Sequence, residues 1–269
     1  MGKDIRRFII YTFSFSWLFW GIAIILTQAH LASFRNPLVL VPYMLGGLSP
    51  AISEIYLKKK YTDKEEYRKF LINIINPRHH FIWYFLIILS AGIICFLPTL
   101  FYDEVRILPL YLALIELPVM IIGGGLEEIG WRGFLQPALQ HKIPAFPSTM
   151  IVSAIWSLWH LPLWFILGTN QTEMNFLAFF ITSIALSLLL AALYNVTGSI
   201  FLCILMHAFT NSFWDVFGMH NNVFSAIPGL IFCLAVFMIA EIVRHKTGRL
   251  EKDSVTSISA GNEKGSNKF

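Results

Sequence analysis

Apolar residues run along this chain in long blocks separated by short polar stretches. Eight blocks, at roughly 8–29, 37–57, 80–101, 107–139, 146–167, 174–195, 198–217 and 224–243, meet the length of about 20 residues that a helix needs to cross a hydrocarbon core. Backbone groups in lipid must be satisfied within their own segment, so the pattern predicts an all-α polytopic membrane protein, a bundle of about eight transmembrane helices. Two places break the pattern. The connection 58–80 carries a short amphipathic helix of its own: Thr62 and Glu65 form a capping box, and Tyr67, Phe70, Leu71 and Ile74 follow at i, i+3, i+4 and i+7 before Asn76-Pro77 stops it. Its basic back suits either the headgroup layer or an ordinary connector packed on the spans. The block 107–139 is too long, because 33 residues of straight helix would measure roughly 50 Å. It must tilt, leave the membrane, or break at Pro118 or at Gly123-Gly124-Gly125.

Composition agrees with the pattern. Hydrophobic residues make up 56% of the chain and charged ones 13%, about half the share usual in soluble domains. From about 246 to 269 the chain turns to Lys, Gly, Ser, Asn and Glu. The expected organisation is therefore a single transmembrane domain, 1–245, followed by a disordered cytoplasmic tail, 246–269.

Charge then orients the bundle. Of the 20 Lys and Arg residues, all but Arg35, Arg106 and Arg132 lie at the N-terminus, between 58 and 80, at Lys142, or from Arg244 onward. An even number of spans places those segments on one side, and the positive-inside rule makes it the cytoplasm for both termini. Clustered charge of this kind reads as topology, with the lipid bilayer as partner and no nucleic acid. Cys95, Cys203 and Cys233 are odd in number, lie in apolar blocks and form no CxxC pair, so they read as small core residues. The first block lacks a small-residue cleavage site and reads as a retained span. No lipidation motif is expected either.

A few polar residues stand out against this background. Glu127-Glu128-Ile129-Gly130-Trp131-Arg132 puts two carboxylates and a guanidinium at membrane depth, where each ionised group costs ~3 kcal/mol or more unless partnered. Glu128 and Arg132 stand at i,i+4 with the acid first, the favourable order for a structural ion pair, while Glu127 points about 100° away around the helix and is free for chemistry. His160 follows Trp156 by four residues. Pro162, two residues on, leaves the Leu158 carbonyl without its helical partner, a polar notch beside the imidazole. His207 and Asn211 share a helix face one turn apart. Polar groups on three spans are cheapest if they converge on one site, although hydrogen-bonded glue between helices would also explain them. His79, His80, His141 and His220, near block ends, read as interfacial residues.

These three groups, in this order, resemble the motifs of the CAAX prenyl endopeptidase and bacteriocin-processing (Abi, CPBP) intramembrane proteases. Glu127, Glu128 and Arg132 match the first motif, EExxxR. Trp156 and His160 match the second, with Trp where the pattern more often has Phe, and His207 and Asn211 match the third. The motifs cover 127–211, about a third of the chain. The resemblance implies an endopeptidase acting on membrane-associated proteins or peptides, with Glu127 and His160 activating water and His207 and Asn211 stabilising the oxyanion. It also leaves open one divalent metal ion, zinc, held by Glu127, His160 and His207 with an open water position. Two other classes keep the same residues: a scaffold, bacteriocin-immunity or envelope-regulating protein that uses the pocket without cleavage, and a proton-coupled transporter, which should carry internal repeats that this sequence lacks.

Overall fold

The computed structural model describes residues 3–101, 107–218 and 222–265; Arg106 and His220 fall outside them. The described residues are helical or irregular, with no strand. In chain order the helices are α1 (Lys3–Gln28), α2 (Pro37–Gly47), α3 (Ser49–Tyr61), α4 (Lys64–Ile75), α5 (Phe81–Phe96), α6 (Tyr111–Gly123), α7 (Glu128–Gly130), α8 (Gln136–Gln140), α9 (Ala145–Trp159), α10 (Phe176–Thr197), α11 (Ile200–Phe217) and α12 (Val223–Gly265). This is an all-α polytopic membrane protein.

Among the described residues, five helical segments are long and apolar enough to cross a membrane: α1, the stretch from α5 to Phe101, α10, α11 and α12 as far as Lys246. The pair α2 and α3, bent by 50°, makes a sixth when counted as one broken span. Among the described residues these five or six are fewer than the eight apolar blocks of the sequence. The two blocks that drop out, 107–139 and 146–167, are both interrupted, and the interruptions carry residues of the first two motifs. α6 runs through Pro118 and ends at Gly123, then a tight 3-10 turn (Gly125–Glu127), the short α7, a π-helical turn (Trp131–Leu135) and α8 follow. Of the two expected break points the glycines are the one used. α9 stops at Trp159 because Pro162 cannot continue the ladder, and the chain leaves in a 3-10 turn, Leu161–Phe165.

The core is built where these interrupted segments are enclosed. α10 carries a run of buried side chains from Ala185 to Leu193 and packs on α9, α11 and α12, while α11 packs on α5 and α6. Outward-facing side chains such as Leu18, Leu114, Ile115, Ile231 and Ile239 are exposed and apolar, as a lipid-facing surface requires.

The amphipathic helix α4 forms, but its cap lies one residue later than the sequence pattern indicates. Asp63, not Thr62, is the N-cap, its side chain accepting from the Glu66 N–H at 2.8 Å, while the Thr62 hydroxyl donates back to the Lys58 carbonyl and closes α3. Phe70 is buried, and Tyr67 and Ile74 pack with it against Ala51, Ile129, Ile200 and Ile204. Leu71 stays exposed. The Asn73 amide clamps the turn before α11, donating to Gly198 O at 2.9 Å and accepting from Ile200 N at 3.1 Å. His79 bonds Ser199 Oγ at 2.9 Å in the same corner. α4 is therefore a packed connector that fixes the start of α11. At the other end, α12 runs as helix to Gly265.

Candidate active site

Glu127 ends the 3-10 turn that follows the Gly124 break, and is 5% exposed. Two indoles hold one oxygen of its carboxylate: Trp156 Nε1 donates to Oε2 at 2.7 Å and Trp131 Nε1 at 3.4 Å. The other oxygen, Oε1, is left facing His160 Nε2 at 4.0 Å. That separation is too long for a direct bond and suits one bridging water.

His160 caps the C-terminal end of α9, where the helix stops for Pro162. Its Nδ1 lies 2.9 Å from the Trp156 carbonyl, which can only accept, so Nδ1 carries the proton and Nε2 presents a lone pair towards Glu127. Trp159, Trp156 and Phe179 surround the ring at centroid distances of 4.5, 5.2 and 5.3 Å. The imidazole is thus held in one tautomer among apolar groups that exclude bulk water.

Glu128 and Arg132 are both fully buried, with Arg132 Nη1 2.9 Å from Glu128 Oε2. The pair is not self-contained as the i,i+4 spacing alone indicates. Glu128 Oε1 also accepts from His207 Nδ1 at 2.7 Å, so this carboxylate joins the ion pair to the third motif. A bond across 79 residues leaves no periodic signature that could have revealed it. With Nδ1 committed to Glu128, His207 Nε2 is the free ring nitrogen. It points to Gly124, where a methyl group in place of the glycine hydrogen would lie 3.1 Å from Nε2 and would collide with Asn211 Nδ2. Absence of a side chain at 124 is what lets the imidazole and the amide meet over the helix break. Gly124→Ala should therefore displace Asn211 and cost about 1–3 kcal/mol, the usual penalty of overpacking. Thermal denaturation in detergent reads this; an unchanged midpoint would mean the contact yields without cost.

A cavity of about 270 Å³ opens beside these residues. His160, His207 and Asn211 line it, with Trp156, Tyr43 and Phe179 among its apolar wall. Glu127 does not line it directly, because the two indoles enclose its carboxylate; it meets the cavity through His160 and Trp156. The sequence pointed to Glu127, His160, His207 and Asn211 and to the glycine break, but not to Trp131. The i,i+4 spacing of Glu127 and Trp131 is the signal that could have found it.

The ligand set expected for zinc does not close in this arrangement. Glu127 and His160 approach each other, but His207 is turned with Nδ1 on Glu128, and no group of three His, Cys, Asp or Glu among the described residues could hold a metal ion.

Comparison with known proteins bears on the same stretch. Residues 108–213 match the family model described as Type II CAAX prenyl endopeptidase Rce1-like. Over this stretch the chain resembles the CPBP family. CAAX prenyl protease 2 of Methanococcus maripaludis is 26% identical to the chain over 129 residues, 45% of this chain and 47% of that protein. The alignment thus spans about half the length of the curated relative. The family match begins just before α6 and ends within α11, so it includes the helix break and all three motifs.

Proposed function

We propose that this protein is an intramembrane endopeptidase that hydrolyses peptide bonds of membrane-associated proteins or peptides. The observation that carries the reading is the 4.0 Å gap between Glu127 Oε1 and His160 Nε2, each a hydrogen-bond acceptor, each oriented by a second bond, and enclosed by aromatic rings. A water bridging the two can give one proton to Glu127 as its oxygen attacks a carbonyl carbon. The carbonyl oxygen becomes an oxyanion and needs donors. Asn211 Nδ2 supplies one, and His207 supplies a second from Nε2 when its ring is protonated, with Glu128 as counter-charge. Collapse of the tetrahedral intermediate breaks the C–N bond, and the proton held by Glu127 passes to the leaving amine.

The relative is named a CAAX prenyl protease, and this chain's substrate is not fixed by that name. The reading predicts fragments from transmembrane peptides incubated with detergent-purified protein, at a rate unaffected by prior chelation. Loss of activity on chelation with recovery on adding zinc would replace it with the metal reading. The rival scaffold function predicts that the peptides bind and stay whole.

Both termini and α4 are assigned to the cytoplasm from the distribution of Lys and Arg. Cysteines introduced in α4 or after residue 246 should react with a membrane-impermeant maleimide only after the cells are opened. Labelling in intact cells would reverse the map.

A further inference from the structure

Arg132 is fully buried, yet among the described residues only its Nη1 is engaged; Nε and Nη2 have no hydrogen-bond partner. Unpaired donors on a buried guanidinium are costly, so they mark where an acceptor belongs. The next turn of the same segment offers one. Gln136 is also fully buried, and its Oε1 has no partner among the described residues.

The orientation of the Gln136 amide is dictated from further along. Glu241 on α12 is a carboxylate that accepts, so Asn195 on α10 must donate to it through Nδ2, at 2.8 Å to Oε1. That turns Asn195 Oδ1 towards Gln136, which must in turn donate its Nε2, at 3.1 Å. Gln136 Oε1 is then left facing away from Asn195 as a free acceptor. Donors without acceptors on Arg132 and an acceptor without a donor on Gln136 are complementary. Both amides in the row donate their N–H towards the Glu241 end. Such a row of aligned dipoles between a cation and an anion is mutually polarised.

We infer that Gln136, Asn195 and Glu241 form a hydrogen-bonded relay, closed by one water between Gln136 and Arg132, that holds the Arg132–Glu128–His207 group in register from the cytoplasmic end of α12. A water there would meet two donors and one acceptor, enough partners to be retained. The three are positioning residues: none touches the cavity, and they act through Arg132. Glu241 is paired to the exposed Arg244 at 2.6 Å, so the relay reaches from the buried site towards the surface of the bundle. Its bearing on catalysis rests on His207 belonging to a hydrolytic site; its existence does not.

Two readouts separate those claims. The first is the ring signals of selectively labelled histidine in detergent, with His207 assigned by its absence in His207→Ala. Glu241→Leu and Asn195→Leu should shift the His207 signals, whereas Glu241→Gln, whose amide oxygen can still accept from Asn195, should restore them towards wild type. The second is peptide cleavage, where Glu241→Leu should lower kcat on the order of 10-fold with KM little changed, as for partners that orient a functional imidazole from behind. Gln136→Leu should do the same if it folds; Glu241→Leu keeps the test open if it does not. His207 signals unchanged in Glu241→Leu, or shifted equally by Glu241→Leu and Glu241→Gln, would overturn the relay whatever the cleavage assay gives. Shifted signals with no cleavage by wild type would keep the relay and sink the protease reading.

Discussion

Glu127→Gln should reduce peptide hydrolysis by about 10²–10⁴-fold, the range that a positioned general base contributes, while leaving the protein folded. The substitution is nearly isosteric. A Gln carbonyl oxygen can still accept from Trp156 at the place where Oε2 now sits 2.7 Å from the indole, so the carboxylate's anchor survives its loss of charge. What is lost is the ability of the other atom, 4.0 Å from His160, to take a proton from water. Size-exclusion behaviour and thermal midpoint close to wild type, with hydrolysis gone, is the expected pairing. Hydrolysis at the wild-type rate would remove Glu127 from the mechanism.

Arg132→Ala should act through stability instead. Glu128 is fully buried, and removing its cation leaves a charged carboxylate with His207 as its remaining partner, a change that costs on the order of 3–5 kcal/mol when a buried pair is broken from one side. Expression level and denaturation midpoint should both fall. Arg132→Ala should also impair whatever remains of activity, because Glu128 then loses the group that holds it against His207. A variant as stable as wild type would show that the guanidinium is not needed to hold the carboxylate. Glu128→Gln with Arg132→Met, removing both charges, should recover part of the stability lost in the single variant.

That Glu127, Glu128 and Arg132 need partners on other segments was legible in the sequence. Buried charge in a membrane bundle needs partners, and only a few polar residues on other spans were available as partners. Several features could not be read. The break fell at Gly124 and not at Pro118, because a proline can be accommodated within a membrane helix while the approach of Asn211 and His207 tolerates no side chain at 124. Counting apolar blocks gave eight spans, whereas two of those blocks are interrupted at the motifs, and hydropathy is blind to backbone breaks inside an apolar run. The cap of α4 moved from Thr62 to Asp63 because the Thr62 hydroxyl found the Lys58 carbonyl first. Glu128's second bond and the amide row from Gln136 to Glu241 join residues 79, 59 and 46 positions apart, and no local pattern encodes such pairings.

The most direct measurement of the central claim is product analysis by mass spectrometry after purified wild type and Glu127→Gln are incubated, in water enriched in ¹⁸O, with a peptide spanning the membrane. Hydrolysis by a Glu127-activated water predicts two fragments from wild type, the new carboxyl group carrying ¹⁸O, and an intact peptide from Glu127→Gln. Intact peptide from both, or the same labelled fragments from both, would contradict it.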